Sequence, residues 1–256
     1  MLFNQIIFGP VHSRRLGVSL GINLLPEDIK LCTYNCVYCE CGWGETEEII
    51  ASKLLLLEII VPALEEKFKA LKDKDIHLDS ITYSGNGEPT VHPQFGAVTE
   101  QLMRLRNTYF PQTIITCLSN STQLHRPDVL RALQLIGNPI MKLDTGIQTT
   151  FEQINKPFSK MYVEDIVSYL AEFQGNMTIQ TLFLKGELED GTKIDNTTET
   201  ELSAWLDCLK ILKPHTVMLY PIDRETPAKN LVKIEKEVLQ QIAERVEELG
   251  IKAKVF

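Results

Sequence analysis

Two hydrophobic periods alternate along the chain. Short β-rich runs ("HLDSITYSG", "QTIITCLSN", "PIMKLDTG", "MTIQTLFLKG", "TVMLYPID") are separated by stretches of helical spacing. In "TETELSAWLDCLKIL", Leu202, Trp205, Leu206, Leu209 and Leu212 recur on one helical face, and Thr198 with Glu201 fits a capping box. In "IEKEVLQQIAERVEELG", Ile234, Val238, Leu239, Ile242, Val246 and Leu249 form one stripe, and Gly250 stands where a helix should end. Roughly residues 18–31 supply a first strand and "KAKVF" a last short one. Strands alternating with helices imply a parallel sheet with right-handed crossovers. About six such units are too few for a closed eight-fold barrel. The pattern predicts an α/β fold, a partial, open-sided (β/α)6 TIM-like barrel, with a doubly wound sheet as the alternative. No repeat or linker interrupts it, so one domain over 1–256 is expected, with 1–29 as N-terminal extension and first strand. "GELEDGTKIDNTT" reads as a surface loop within that domain.

Composition narrows the function. Hydrophobic residues make up 44% of the 256 positions and charged ones 23%, ordinary for a soluble globular chain. A net charge of −8 argues against a broad phosphate-binding surface, so nucleic acid is not an expected partner. "MLFNQIIFGP" lacks the basic start and apolar core of a secretion signal. The greasiest run, "IIASKLLLLEIIVPALEE", is interrupted by Lys53, Glu58 and Pro62, which does not suit a membrane span. A cytoplasmic location follows as the expectation, with a monomer as the simplest state. In a reducing compartment clustered thiols bind metal or carry redox chemistry more often than they form disulfides.

The chemistry-bearing residues fall where strands end. Cys32, Cys36, Cys39 and Cys41 follow the first strand, in a loop spanning 30–45. "GNGEPT" follows the second; Ser119 and Asn120 end the third; Lys142 and Asp144 lie on or past the fourth. Gln180 and Thr181 lie on the fifth, and Asp223 and Arg224 end the sixth. The C-terminal edge of a parallel sheet is the site edge of such folds. Three thiolates spaced C-x3-C-x2-C can hold three irons of a cubane cluster and leave the fourth iron open. A structural zinc site would want a fourth ligand, for which only Cys41 is near. Cys117 and Cys208 sit in apolar patterns and read as core residues.

With Tyr38 before the third cysteine, Cys32, Cys36 and Cys39 resemble the signature of the radical S-adenosylmethionine (radical SAM) superfamily. "SGNGEPT" is similar to that superfamily's glycine-rich glutamate motif. "FGPVHSRRLGVSLGINLLP", "KLDTG", "TLFLKG" and "YPIDRETP" resemble one branch, of iron–sulfur oxidoreductases related to wyosine-forming tRNA-modification enzymes.

The resemblance implies a radical SAM core. Cys32, Cys36 and Cys39 would bind a [4Fe–4S] cluster. That cluster would cleave S-adenosyl-L-methionine reductively to a 5′-deoxyadenosyl radical, which abstracts hydrogen from a small-molecule or peptide substrate. An electron donor such as flavodoxin or ferredoxin would supply the cluster. The implied cofactor-binding set is Tyr38, Gly85, Asn86, Gly87, Glu88, Asn120, Lys142, Asp144 and Gln180. Glu88 suits an ammonium group, Asp144 ribose hydroxyls, Lys142 a carboxylate or hydroxyl, and Tyr38 could flank adenine; Gly85 and Gly87 would let backbone approach a ligand. Plainer roles compete: Glu88 capping the helix after Pro89, Asp144 capping "TGIQTTFEQI", Asn120 making an Asx turn. His12, Arg14 and Arg15 could meet an anionic substrate group or simply form an N-terminal hairpin, and Arg224 joins them as a substrate candidate. Cys41 is expected not to ligate, since a fourth thiolate would fill the open iron. The alternatives are a tRNA-modifying wyosine-type enzyme and, in another class, a zinc-bound structural module.

Overall fold

The computed structural model describes residues 2–44 and 53–256. Residue 45, the last of the expected cluster loop, and residues 49–52 of the greasy run lie outside them. The chain forms two compact units: Met1–Cys32 with Gly44–Pro139, and Thr33–Trp43 with Ile140–Phe256.

In the first unit β1 (Ile7–Ser13) pairs antiparallel with β2 (Gly17–Ile22), and β2, β3 (Ser80–Tyr83) and β4 (Ile114–Ser119) run parallel in that order. The first strand is therefore shorter than the sequence pattern suggests and gains an antiparallel partner. Asn23 ends it: its side chain accepts from Leu25 N (3.3 Å) and donates to Leu25 O (3.0 Å), turning the chain out of the sheet. From Leu57 on, the greasy run belongs to the amphipathic helix α1 (Leu57–Asp73), which buries Ile60, Leu64, Phe68 and Leu71 on one face and accommodates Pro62 near its start. Among the described residues no helix is long and apolar enough to cross a membrane. The helices α2 (Phe95–Tyr109) and α3 (Pro127–Leu135) complete the unit.

β3 shows how alternation sorts the unit. Ile81 and Tyr83 share one face, and the Tyr83 ring lies 5.2 Å from that of Phe95 in α2. On the other face Ser80 and Thr82 join a buried hydroxyl ladder: Ser19 to Thr82 (2.8 Å), Thr82 to Ser80 (3.0 Å), Ser80 to Thr116 (2.9 Å). Because Ser80 donates to Thr116, the ladder runs one way, Ser19 to Thr82 to Ser80 to Thr116, and each of the four hydroxyls has a partner.

The second unit carries β5 (Asn138–Lys142, whose first two residues belong to the first unit), β6 (Thr178–Glu187), β8 (Thr216–Pro221) and β10 (Lys252–Val255), parallel in that order. The stretch read as a surface loop is partly a ribbon. β6 runs on to Glu187 and pairs antiparallel with β7 (Lys193–Asp195) and with β9 (Leu231–Lys233). An Asp190–Gly191 turn closes it, with Gly191 at φ +82° and Thr192 N donating to Asp190 (2.9 Å). The helices are α4 (Gln148–Asn155), α5 (Val163–Ala171), α6 (Glu199–Leu212) and α7 (Lys236–Glu247). Thr198 caps α6 by accepting from Glu201 N. The reciprocal half of the capping box is absent, because the buried Glu201 carboxylate instead accepts from Thr145 (2.6 Å) and Thr150 (2.5 Å). Trp205 is buried and donates from Nε1 to Leu143 O (3.2 Å), tying α6 to the end of β5.

His92, beyond the short 3-10 turn Pro89–Val91, gives the first unit a pH dependence. It is fully buried. Its Nε2 donates to Leu55 O (2.8 Å), which can only accept, and its Nδ1 accepts from Gln94 N (3.2 Å), so the ring is held neutral. Burial pushes its pKa below the ordinary value; the Leu55 bond opposes this and the Arg126 charge adds to it. Between that depressed value and the unfolded value of about 6.5, the unfolded chain binds a proton that the folded chain refuses, so stability falls as pH falls. His92→Gln is expected to flatten this acid limb in urea unfolding between about pH 7 and pH 5. An unchanged slope would remove His92 from the account.

Candidate functional site

In the first unit the loop after β3 is built around the approach to Cys32. Leu31 N donates to Asn86 O (2.8 Å) and Glu88 N to Leu31 O (3.0 Å), a one-residue parallel bridge opposite Gly87. Gly87 has φ +139°, and a Cβ there would overlap the Leu31 carbonyl. Gly85, at φ +142°, likewise lies against the Asn23 side chain. The glycines thus let this loop approach the chain's own backbone. Asn86 is fully buried; it accepts from Phe3 N (2.7 Å) and donates to Phe3 O (2.8 Å) and Pro26 O (2.7 Å).

Glu88 does cap the turn that follows. Its Oε1 accepts from Thr90 N (3.1 Å), from the Thr90 hydroxyl and from Ser119 Oγ (2.9 Å), while Oε2 accepts from Asn120 N. Burial pushes its pKa up, and these donors pull against it. Asn120 makes the Asx turn: its Oδ1 accepts from Thr122 N (3.2 Å) and Thr122 Oγ1 (2.8 Å). Its Nδ2 donates to Cys32 Sγ (3.6 Å). Ser121 follows with φ +72°, and its buried Oγ has no hydrogen-bond partner among the described residues. His12 lies on β1 in register with Val18, and Arg14 and Arg15 occupy the exposed turn of the β1–β2 hairpin.

In the second unit the loop bearing Cys36 and Cys39 is shaped by the end of α4. Val37 N donates to Ile154 O (2.9 Å) and Asn35 N to Asn155 O (3.0 Å), so loop donors satisfy carbonyls the helix terminus leaves open. Phe158 N donates to Thr33 O (3.1 Å), and Tyr34 bridges Pro157. Cys36 is buried; Cys39 and Cys41 are half-buried. Burial pushes the Cys36 thiol up, while the Lys142 charge and the Asn155 amide draw it down.

Asp144 is the hub of this unit. Its Oδ1 accepts from Lys142 Nζ (3.4 Å) and Leu182 N (3.0 Å). Its Oδ2 accepts from the Tyr38 hydroxyl and from Asn155 Nδ2 (2.8 Å). The side chain is fully buried, and four bonds fill a carboxylate's acceptor positions, so a ribose hydroxyl would have to displace one of them. It does not cap α4, which starts from Ile147 with no side-chain cap.

Lys142 Nζ also reaches Tyr220 Oη (3.2 Å) and lies 4.8 Å from the Tyr38 ring centre. Burial alone would lower its pKa; Asp144 and Tyr220 outweigh this and hold it above the ordinary value. Burial, with Asp144 beside it, pushes Tyr38 well up, so its hydroxyl keeps its proton. Gln180, buried on β6, stands in register with Lys142. Arg224 pairs with Glu40 of the loop (2.7 Å), both exposed.

Asn155 is the residue that sequence reasoning missed. No spacing marks it; the signal is the left-handed Lys156 after it (φ +42°), which stops α4 where its carbonyls meet the loop. Among the described residues no three Cys, His, Asp or Glu side chains are gathered as for a single metal ion. The donor set nonetheless suits an iron–sulfur cluster: the cysteines form no disulfide among the described residues, and two of the three candidate thiols receive a side-chain N–H. The unpartnered Ser121 hydroxyl fits a polar ligand at the end of β4.

An α/β fold with mostly parallel strand pairing and a C-x3-C-x2-C loop after an early parallel strand is the pattern of the radical SAM class. Residues 27–193 match the Radical SAM superfamily, and the chain belongs to it. It is 31% identical over 238 residues to a UPF0026 protein of Helicobacter pylori, covering 92% of this chain and 72% of that one. It is 30% identical over 253 residues to a UPF0026 protein of Methanocaldococcus jannaschii, covering 98% and 74%.

Among solved structures, a radical SAM methyltransferase from Sphaerobacter thermophilus superposes with a TM-score of 0.66 at 15% identity, covering 93% of this chain and 65% of that one. Archaeal TYW1 gives 0.54 at 12% identity, covering 90% and 71%. The fold class expected from the sequence is the one these structures share.

Proposed function

We propose that this chain is a radical SAM enzyme in which Cys32, Cys36 and Cys39 hold a [4Fe–4S] cluster and the glycine-rich loop with its neighbours holds S-adenosylmethionine. The observation that carries the reading is the provision of amide donors to thiols of the motif: Asn120 Nδ2 to Cys32 Sγ and Asn155 Nδ2 to Cys36 Sγ. Such donors suit sulfur that bears negative charge as a ligand. A cluster held there would supply the electron for reductive cleavage of bound S-adenosylmethionine.

The protein's own part is to bind and orient. Glu88 Oε2 takes one hydrogen bond where Oε1 takes three, which leaves Oε2 an acceptor position for an ammonium group. Asp144 holds Tyr38 and Lys142 in fixed positions, and Lys142 keeps its charge for a carboxylate. The substrate is a small molecule or peptide, and the electron donor is of the flavodoxin or ferredoxin kind. A net charge of −8 supports a substrate other than nucleic acid, and the clustering of four cysteines between Cys32 and Cys41 supports a reducing, cytoplasmic setting.

Anaerobic purification followed by iron and sulfide analysis tests the cluster, and 5′-deoxyadenosine release under a strong reductant tests the chemistry. A brown protein that forms 5′-deoxyadenosine is expected. A colourless protein containing zinc would replace this reading with a structural zinc module.

A further inference from the structure

We propose that Asn155 is a positioning residue of the cluster, one that fixes the Cys36 sulfur and sets the cluster's reduction potential through an N–H···S bond. The inference rests on the function proposed above. Asn155 is buried, and its Nδ2 lies 3.5 Å from Cys36 Sγ, 3.2 Å from Tyr38 Oη and 2.8 Å from Asp144 Oδ2. The orientation of the amide follows from its neighbours. Asp144 can only accept, the Tyr38 proton is already given to Asp144, and a ligating thiolate has no proton to give. Turning the amide over would face its oxygen toward three acceptors, so the N–H end must point at them. Two N–H groups serve three acceptors, which leaves one proton shared.

The same residue holds the loop by its backbone. Asn155 O receives Asn35 N, one position before Cys36, and Ile154 O receives Val37 N, one position after it. Cys36 is thus fixed on both sides along the chain and at its sulfur by two consecutive residues of one helix end. A hydrogen bond to a ligating sulfur stabilises the form with more negative charge, which is the reduced cluster, and so raises the potential. Asp144 and Tyr38 lock the amide in place, so the donor reaches the sulfur without ordering cost on reduction.

The test uses the anaerobically reconstituted holoprotein and an EPR-monitored redox titration. Asn155→Ala should keep cluster iron while its reduction equilibrium moves about tenfold toward the oxidised form, equivalent to about 59 mV for one electron. Asn155→Asp, of the same shape but without either N–H donor, should move it the same way. Gln148→Ala, at the other end of α4, should lower thermal stability and leave the potential in place. Should Asn155→Ala fail to fold, Asn155→Asp decides, together with an asparagine side-chain nitrogen coupling sought by pulsed EPR in 15N-labelled wild type. A reduction equilibrium within a factor of two of wild type in the folded variants, or no such coupling, would overturn the role of Asn155. A wild-type chain that takes up no cluster would overturn the proposed function, and this inference with it.

Discussion

Cys36→Ala is expected to strip the reconstituted protein of most of its iron, to roughly a third of wild type or less, because two protein thiolates hold a cubane poorly. Cys36 is the most enclosed of the three candidate ligands, and its loop is fastened to the end of α4 by backbone bonds from both neighbours. Cys41→Ala serves as the comparison and should keep its full iron content. Equal iron in wild type and Cys36→Ala would end the cluster assignment. Equal loss in both variants would mean a fully protein-ligated cluster, which suits an electron carrier and leaves no open iron.

Asp144→Ala is expected to destabilise the fold by about 3–5 kcal/mol, since it leaves the Lys142 charge buried without its partner. The Lys142 side chain is 16% exposed and Asp144 not at all, so water can compensate little. The substitution also strips a buried acceptor from Leu182 N, Tyr38 Oη and Asn155 Nδ2. Urea unfolding measures the loss directly. The double variant Asp144→Leu with Lys142→Met should recover much of it, because replacing both charges by apolar groups removes the uncompensated one. A single variant within about 1 kcal/mol of wild type would show that the hub does not hold the unit together.

The elements were legible because each encodes its own burial. The stripe from Leu202 to Leu212 places one face of α6 against the core, and the β-rich runs appear as parallel strands. The cysteine spacing and "GNGEPT" identified the motifs, and Glu88 and Asn120 adopt the capping and Asx-turn geometries their residue types favour. What stayed hidden depends on pairs far apart in sequence. Nothing near Asn155 reveals a partner 119 positions earlier, and nothing in "KLDTG" shows that Asp144 will be saturated from inside its own unit. The glycines were read in the right place, but their nearest neighbours within the chain were not. A positive φ says that something comes close, not whether it is ligand or the chain's own Leu31. Ser121 was invisible for the same reason, since its strain and its unpartnered hydroxyl exist only in three dimensions.

The fastening of residues 33–37 to 154–158 has a consequence for biogenesis. During synthesis the cysteine loop leaves the ribosome long before the helix end that shapes it, because the bond from Asn155 to Cys36 spans 119 positions. Until those residues emerge, the loop's amides have only water for partners, and its thiols are displayed on a flexible strand open to oxygen and stray metal. Loading of the proposed cluster would therefore wait until residues 154–158 are present, and truncation before residue 155 should yield a product that retains the whole cysteine motif yet takes up no iron.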